Sequence, residues 1–237
     1  MSKYFAQINL IQGAFEKISP RLARDVGELI NLQASNKNAV QFASVSYDKI
    51  KENLNDYFKS KAHQDGLVID GQKIVAKDNA RFTYVTYAID GINNFTRSLS
   101  DFAVVILAKE NETDQIVAGG FYNPFNKEIY KFQKGGGAFL NNLRLRVSNT
   151  LKTDKVLVGL DSILSFQKST ILSDIKLKYY RITGCAALDF AYLASGKLDI
   201  LLLKNNPKYK NYFLIAKEAG AIISQEGEYI IVKNSNL

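Results

Sequence analysis

The chain of 237 residues has little of what disulfide scaffolds and most transition-metal sites are built from: one cysteine, one histidine, one methionine and no tryptophan. A lone Cys185 excludes an internal disulfide framework, and a lone His63 excludes histidine-rich zinc sites. Long apolar runs are missing too. FAVVILA at 102–108 is closed by Lys109 and Glu110, far short of the roughly 18 apolar residues that a membrane helix needs. The opening segment MSKYFAQINLIQGAFEK carries one early lysine and polar residues scattered among its apolar ones, without the apolar centre of a secretory signal. These absences point to a non-membrane protein of the cytoplasm.

What is present is a core-forming composition, 46% hydrophobic, in a length at the upper end of one continuous domain. One body over 1–237 is expected, with lobes of approximately 1–150 and 151–237. Thirty-one lysines and arginines against 23 acidic residues give a net charge of +8, which attracts phosphate, nucleic acid or an acidic partner at long range. The lysines are dispersed, without an aromatic-interleaved RNA motif or a helix-turn-helix signature, so generic basicity is the plainer reading.

Apolar positions at helical spacing (Phe5, Ile8, Ile11, Phe15, Ile18, Leu22, Val26, Ile30) predict a first helix over 4–30, kinked at Pro20. Ile50, Leu54 and Phe58 predict a second over 47–62, paired with the first. From Leu67 the texture turns to short β-rich runs: GLVID, FTYVTYA, FAVVILAK, IVAGGFYN and EIYKFQKG. Later come the strand-like VLVGLDS, a helix around 186–195, the strand LDILLL, a helix around 209–219, and the short strands AIIS and YIIV. Alternation of helices and strands in the second half argues for a layered α/β architecture rather than a barrel.

The segment Ala88-Ile89-Asp90-Gly91-Ile92-Asn93-Asn94-Phe95, an apolar strand, GGFYNPFNKEIYKFQKGGGAFLNN and LRLRVS follow one another in that order. They resemble the inositol monophosphatase signature, in which Asp-Pro-Ile-Asp-Gly-Thr-Thr-Asn-Phe precedes a strand, a Tyr-Asn-Pro turn, a Gly-x-Gly-Ala-Phe-Leu-Asn run and Arg-Val-Ser. GCAALDFAYLASGKLD at 184–199 resembles the second family signature, AKEAGAII at 216–223 the family's late helix-to-strand junction, and LARDVGELINLQASNKNAVQF at 22–42 the start of bacterial members. The resemblance implies a five-layer αβαβα sandwich, a homodimer, and magnesium-dependent hydrolysis of inositol phosphate monoesters. Bacterial relatives of the extragenic-suppressor type also imply a role in transcription and ribosome production through contact with the RNA polymerase machinery.

Hydrolysis of a phosphate monoester needs clustered oxygen ligands for magnesium, a metal-activated water, and donors that fix the phosphate. Carried over residue by residue, the family's metal-binding Glu falls on Asp70 and its neighbour on Gly71. The first Asp of the core motif falls on Tyr87, the carbonyl ligand on Ile89, and the second Asp is kept as Asp90. The Thr that orients the attacking water falls on Ile92, and an upstream Asp near a third metal falls on Tyr47. The late Trp-Asp pair falls on Pro207 and Lys208, and the Glu that contacts inositol on Leu203. Gly91, Ile92, Asn93, Gly184, Ala186 and Lys208 match substrate-binding positions. A phenol with pKa near 10 is neutral at pH 7 and cannot replace an aspartate between two cations. A lysine about 4 Å from a divalent cation would be repelled by about 8 kcal/mol at an effective dielectric of 20.

The resemblance therefore implies a family member with an eroded metal site, weak or no magnesium binding, and phosphatase activity absent or very low. Lys208 and the amides after Asp90 could hold a phosphate anion or an inositol phosphate without hydrolysing it. The alternative is an active magnesium-dependent phosphatase whose missing oxygens come from Asp65, Asp78, Glu110 or Asp199; a decaying gene product is a third reading. Plain readings stand beside these. Asp90 is equally a turn-forming aspartate before Gly91, Asp70-Gly71 an ordinary turn, and Gly135 to Gly137 a structural turn rather than a phosphate cradle. Cys185 reads as a packed residue at a helix start, His63 as a surface residue after the second helix, and Asp189 and Asp199 as structural.

Overall fold

The structure is a computed structural model that describes residues 3–35, 37–151, 155–162 and 179–237. The described chain falls into two compact units, Met1–Lys131 and Phe132–Leu237.

In the first unit, helix α1 (Phe5–Ala34) and helix α2 (Ala39–Lys61) pack together over a sheet. The sheet holds β1 (Gly66–Ile69), β2 (Gln72–Val75), β3 (Phe82–Asp90), β4 (Ala103–Glu110) and β5 (Gln115–Asn123), with the short helix α3 (Ile92–Thr96) between β3 and β4. The strand order is β2-β1-β3-β4-β5, followed by β6 (Glu128–Gln133), which crosses the division between the units. β1 and β3 are parallel, and β3, β4 and β5 are antiparallel neighbours. Residues Ala103 to Ala108 of β4 are all 0% exposed, as a continuous apolar run in a central strand requires.

α1 buries Ile11, Phe15, Ile18, Leu22 and Val26 as the periodicity predicts, but Leu29 and Tyr4 take the places expected for Ile30 and Phe5, which are 43% and 49% exposed. Three successive steps of four residues carry Ile30 about 120° round a helix of 3.6 residues per turn, out of the buried stripe. The helix continues through Pro20. Pro20 offers no N–H to the Glu16 carbonyl, and the Ser19 hydroxyl donates to that carbonyl instead, at 3.3 Å. α2 starts eight residues before the predicted 47, because Asn38 caps it by accepting the Gln41 amide at 3.1 Å. The buried Asp25 of α1 accepts the Ser46 hydroxyl of α2 at 2.7 Å and pairs with Arg21 at 3.4 Å, which joins the two helices by a polar contact.

The second unit contains the hairpin β7 (Gly137–Leu140) and β8 (Leu143–Arg144), then β9 (Leu157–Leu160), β10 (Tyr179–Arg181), helix α4 (Ala186–Ala194), β11 (Ile200–Lys204), helices α5 (Pro207–Lys210) and α6 (Phe213–Glu218), and the hairpin β12 (Ile222–Glu226) and β13 (Tyr229–Lys233). Its sheet has the order β10-β9-β11-β13-β12, with β9 parallel to both β10 and β11. The helix predicted over 209–219 is two short helices separated at Asn211 and Tyr212. β2 and β10 were not foreseen; their residues are largely exposed and lack an apolar alternation. Both sheets are mixed and flanked by helices, so the layered α/β class is the observed one. Among the described residues no helix is long and apolar enough to cross a membrane.

Close approach of α1 to β5 depends on Gly120, where a Cβ would lie 2.7 Å from the Phe15 ring and 2.9 Å from Ile11. Gly120→Ala should therefore overpack this contact and cost about 1–3 kcal/mol. Thermal unfolding is expected to show a midpoint several degrees lower, on a scale of about 2–4 °C per kcal/mol for a chain of this size.

Candidate functional site

The C-terminal ends of the adjacent parallel strands β1 and β3 carry the predicted ligands of the first unit. Asp70 and Gly71 form the two-residue link between β1 and β2, with Ile69 paired to Gln72. Both have positive φ, 51° and 79°, the geometry of a type I′ turn, for which Asp-Gly is a favoured sequence. The turn is further held by the Asp70 amide, which donates to the Thr86 carbonyl of β3 at 2.9 Å. The plain reading of Asp-Gly as a turn is thus present in the backbone.

The Asp70 carboxylate is nonetheless engaged at both oxygens. Its Oδ2 accepts the Tyr47 hydroxyl of α2 at 2.7 Å, and its Oδ1 accepts the Ala88 amide of β3 at 3.1 Å. Burial, followed by the hydrogen bond to Asp70, pushes the Tyr47 hydroxyl above the ordinary phenol value, so it stays a protonated donor. The Lys51 ammonium lies 5.3 Å over the Tyr47 ring.

β3 ends in the remaining family positions. Its regular pairing with β4 breaks between Tyr87 and Asp90, and Asp90 rejoins opposite Ala103. Ile89 and Asp90 are buried, whereas Tyr87 is half-buried. Gly91 follows at φ 85° and caps α3, which a side chain would strain. Ile92 is 42% exposed and Asn93 is exposed. α3 spans only five residues, so its dipole is that of little more than one turn.

Of the oxygens that might replace lost ligands, Glu110 accepts the Tyr4 and Thr113 hydroxyls and pairs with Arg81 at 3.5 Å and Lys3 at 3.7 Å. Asp78 is exposed. Asp65 is half-buried, and desolvation raises its carboxyl above the usual range while the Phe82 amide and His63 pull it down. His63 itself is exposed beyond the end of α2.

In the second unit, Asp199 accepts the Ser148 hydroxyl and, at 2.8 Å, the Leu157 amide, which pins the start of β9. Asp189 of α4 accepts the Thr183 hydroxyl at 2.7 Å, and the buried Cys185, at the N-cap position of that helix without a side-chain capping bond, donates its amide to Thr183 Oγ1 at 3.1 Å. Gly184 has φ 76° and is exposed, and Ala186 is half-buried. Lys208 sits in α5, half-buried, with its ammonium 5.8 Å over the Tyr212 ring. Leu203 is wholly buried in β11. The loop Gly135 to Gly137 does grip an anion, but an internal one: the Glu218 carboxylate accepts the Gly135 amide at 2.8 Å and the Gly137 amide at 2.7 Å. That pairing spans 83 residues of sequence and carries no local signal.

Comparison with known proteins decides what this frame is. The model of the inositol monophosphatase family matches residues 3–225. The chain belongs to that family. An inositol-1-monophosphatase of Mesorhizobium japonicum is 32% identical over 202 residues, covering 82% of this chain and 75% of the relative. The Nus factor SuhB of Escherichia coli is 28% identical, covering 87% and 83%. Among solved structures, the extragenic suppressor protein suhB of Bartonella henselae has a TM-score of 0.80 at 24% identity, covering 98% of this chain and 94% of that one, a likeness of fold.

The family's chemistry is generally magnesium-dependent, and the donors here do not fit a pair of magnesium ions. Among the described residues no three of His, Cys, Asp and Glu come together as a metal would require. Tyr87, which the resemblance sets against the first motif aspartate, carries no carboxylate, and both oxygens of Asp70 accept hydrogen bonds from protein donors.

Glu218 gives a check on the glycine loop. Glu218→Ala removes the charged acceptor of two glycine amides, that of Gly135 exposed and that of Gly137 part-buried, and should cost about 1–3 kcal/mol. Denaturant unfolding is expected to show a lower midpoint at an unchanged slope, with Glu218→Gln falling between the two.

Proposed function

We propose that this member of the inositol monophosphatase family has lost phosphatase activity, or keeps only a trace of it, and acts through contacts with the transcription machinery as a cytoplasmic homodimer. The observation that carries the reading is that, among the described residues, Asp70 stands outside any cluster of three His, Cys, Asp or Glu side chains that could hold a metal, and its two oxygens each accept a protein donor, from Tyr47 and Ala88. Ile92 adds to it, since the hydroxyl that would orient an attacking water is absent and an apolar side chain stands exposed in its place. The similarity to proteins named Nus factor SuhB supports a role that needs the fold and its surface rather than the metal, and the charge of +8 favours an acidic or nucleic-acid-bearing partner.

Phosphate-anion or inositol phosphate binding without hydrolysis is part of this reading. A second reading, a working magnesium-dependent inositol phosphate phosphatase with non-standard ligands, is favoured by the relatives named inositol-1-monophosphatase. It needs carboxylates with oxygens to spare, whereas Glu110 and Asp199 are committed to arginine, lysine, serine and amide partners.

Calorimetric titration of magnesium, paired with phosphate release from inositol 1-phosphate and from an aryl phosphate, separates the two. The expected result is no heat of binding at millimolar magnesium and no release above buffer, in a protein that melts cooperatively. Binding with turnover would establish the second reading.

A further inference from the structure

We propose that Tyr47 has taken over the mechanical role of a cation at Asp70: its hydroxyl and the Ala88 amide form a metal-independent joint tying α2 to the β1–β2 turn and to β3. This rests on the reading of an eroded metal site and adds to it a reason why the fold does not need the metal.

A half-buried carboxylate must be compensated, by a cation or by hydrogen-bond donors. Here each oxygen meets a different donor, a side chain of α2 at 2.7 Å and a backbone amide of β3 at 3.1 Å, so three elements converge on one group. The Ala88 amide lies on the same edge of β3 as the Thr86 carbonyl that accepts the Asp70 amide, the edge that faces β1, and so it meets the turn where β1 ends. Asp70 is presented by a turn fixed independently, through its own amide on Thr86 and the paired Ile69 and Gln72. A divalent cation at Oδ2 would share that oxygen with an O–H that already donates to it, next to the Lys51 ammonium that lies over the same ring. Tyr47 is thus a positioning residue, and the joint behaves as a closed site.

The test is thermal unfolding of the full chain in chelator and in millimolar magnesium, for the wild type, Tyr47→Phe, Asp70→Gly and the double variant. Glycine suits the left-handed backbone at 70, so the turn is kept while the side chain is removed. The wild-type midpoint is expected to be the same in chelator and magnesium. Each single change should lower it by about 2–8 °C, and the double change should fall no further than the lower single, as a shared interaction requires. Exchange of the Ala88 amide, read by NMR in the folded proteins, should quicken on the order of tenfold in Asp70→Gly.

A wild-type midpoint that rises with magnesium, a double-variant loss equal to the sum of the singles, or unchanged Ala88 exchange each overturns the joint. Magnesium stabilisation without phosphate release would overturn it while leaving the non-catalytic reading intact. Phosphate release at a magnesium-insensitive midpoint would overturn that reading and leave the joint standing.

Discussion

The pairing of β3, parallel with β1 on one side and antiparallel with β4 on the other, is what fixes the parts of the first unit relative to one another. Because the register with β1 sets Ile69 opposite Thr86, the turn at Asp70 and Gly71 comes to rest beside Ala88. The register with β4 shifts between Tyr87 and Asp90, so Asp90 pairs again opposite Ala103 and Gly91 follows as the cap of α3. α1 and α2 then close the apolar face, with Gly120 allowing Phe15 and Ile11 to reach β5. The positions that in relatives would hold metal are thus fixed by backbone pairing, and pairing does not depend on which side chains occupy them.

That separation explains how the family's frame can persist while its ligand set changes. A metal phosphatase must keep several carboxylates close together with their oxygens unspent, an arrangement that repels itself unless cations are bound. In this chain the acidic groups follow the opposite logic. Asp25 is met by Ser46 and Arg21, Glu110 by Tyr4 and Arg81, Asp199 by Ser148 and Leu157, and Glu218 by two glycine amides. Each is a single carboxylate with protein donors, stable without a cation, and several join segments distant in sequence.

The sequence was most legible where one kind of residue must serve one purpose. Periodic Ile50, Leu54 and Phe58 gave the second helix's buried face, and the order of the glycine and asparagine motifs gave the fold. Element ends were less so, since the start of α2 depends on one capping bond from Asn38, and the exposure of Ile30 on accumulated helical drift. Partners across long separations left no trace. Tyr47 stood at a position where relatives carry an aspartate, which marked it as changed, but its bond to Asp70 follows only from the packing of α2 against β1 and β3. The role of Glu218 was hidden in the same way, because nothing local at residue 218 announces a loop at 135.

The character of the replacements bears on whether they are losses or adaptations. A ligand position that merely decays should tend to leave a buried polar group without a partner or an apolar group in water, each at a cost in stability. Ile92, 42% exposed, fits that pattern. Tyr47 and Leu203 do not. The first donates to the carboxylate of the β1–β2 turn, and the second is wholly buried in the central strand of its sheet, opposite Ile230 of β13. Both are contacts that stabilise the fold without a metal. On the proposed non-catalytic reading, contacts of that kind argue for a retained role of the fold over passive decay.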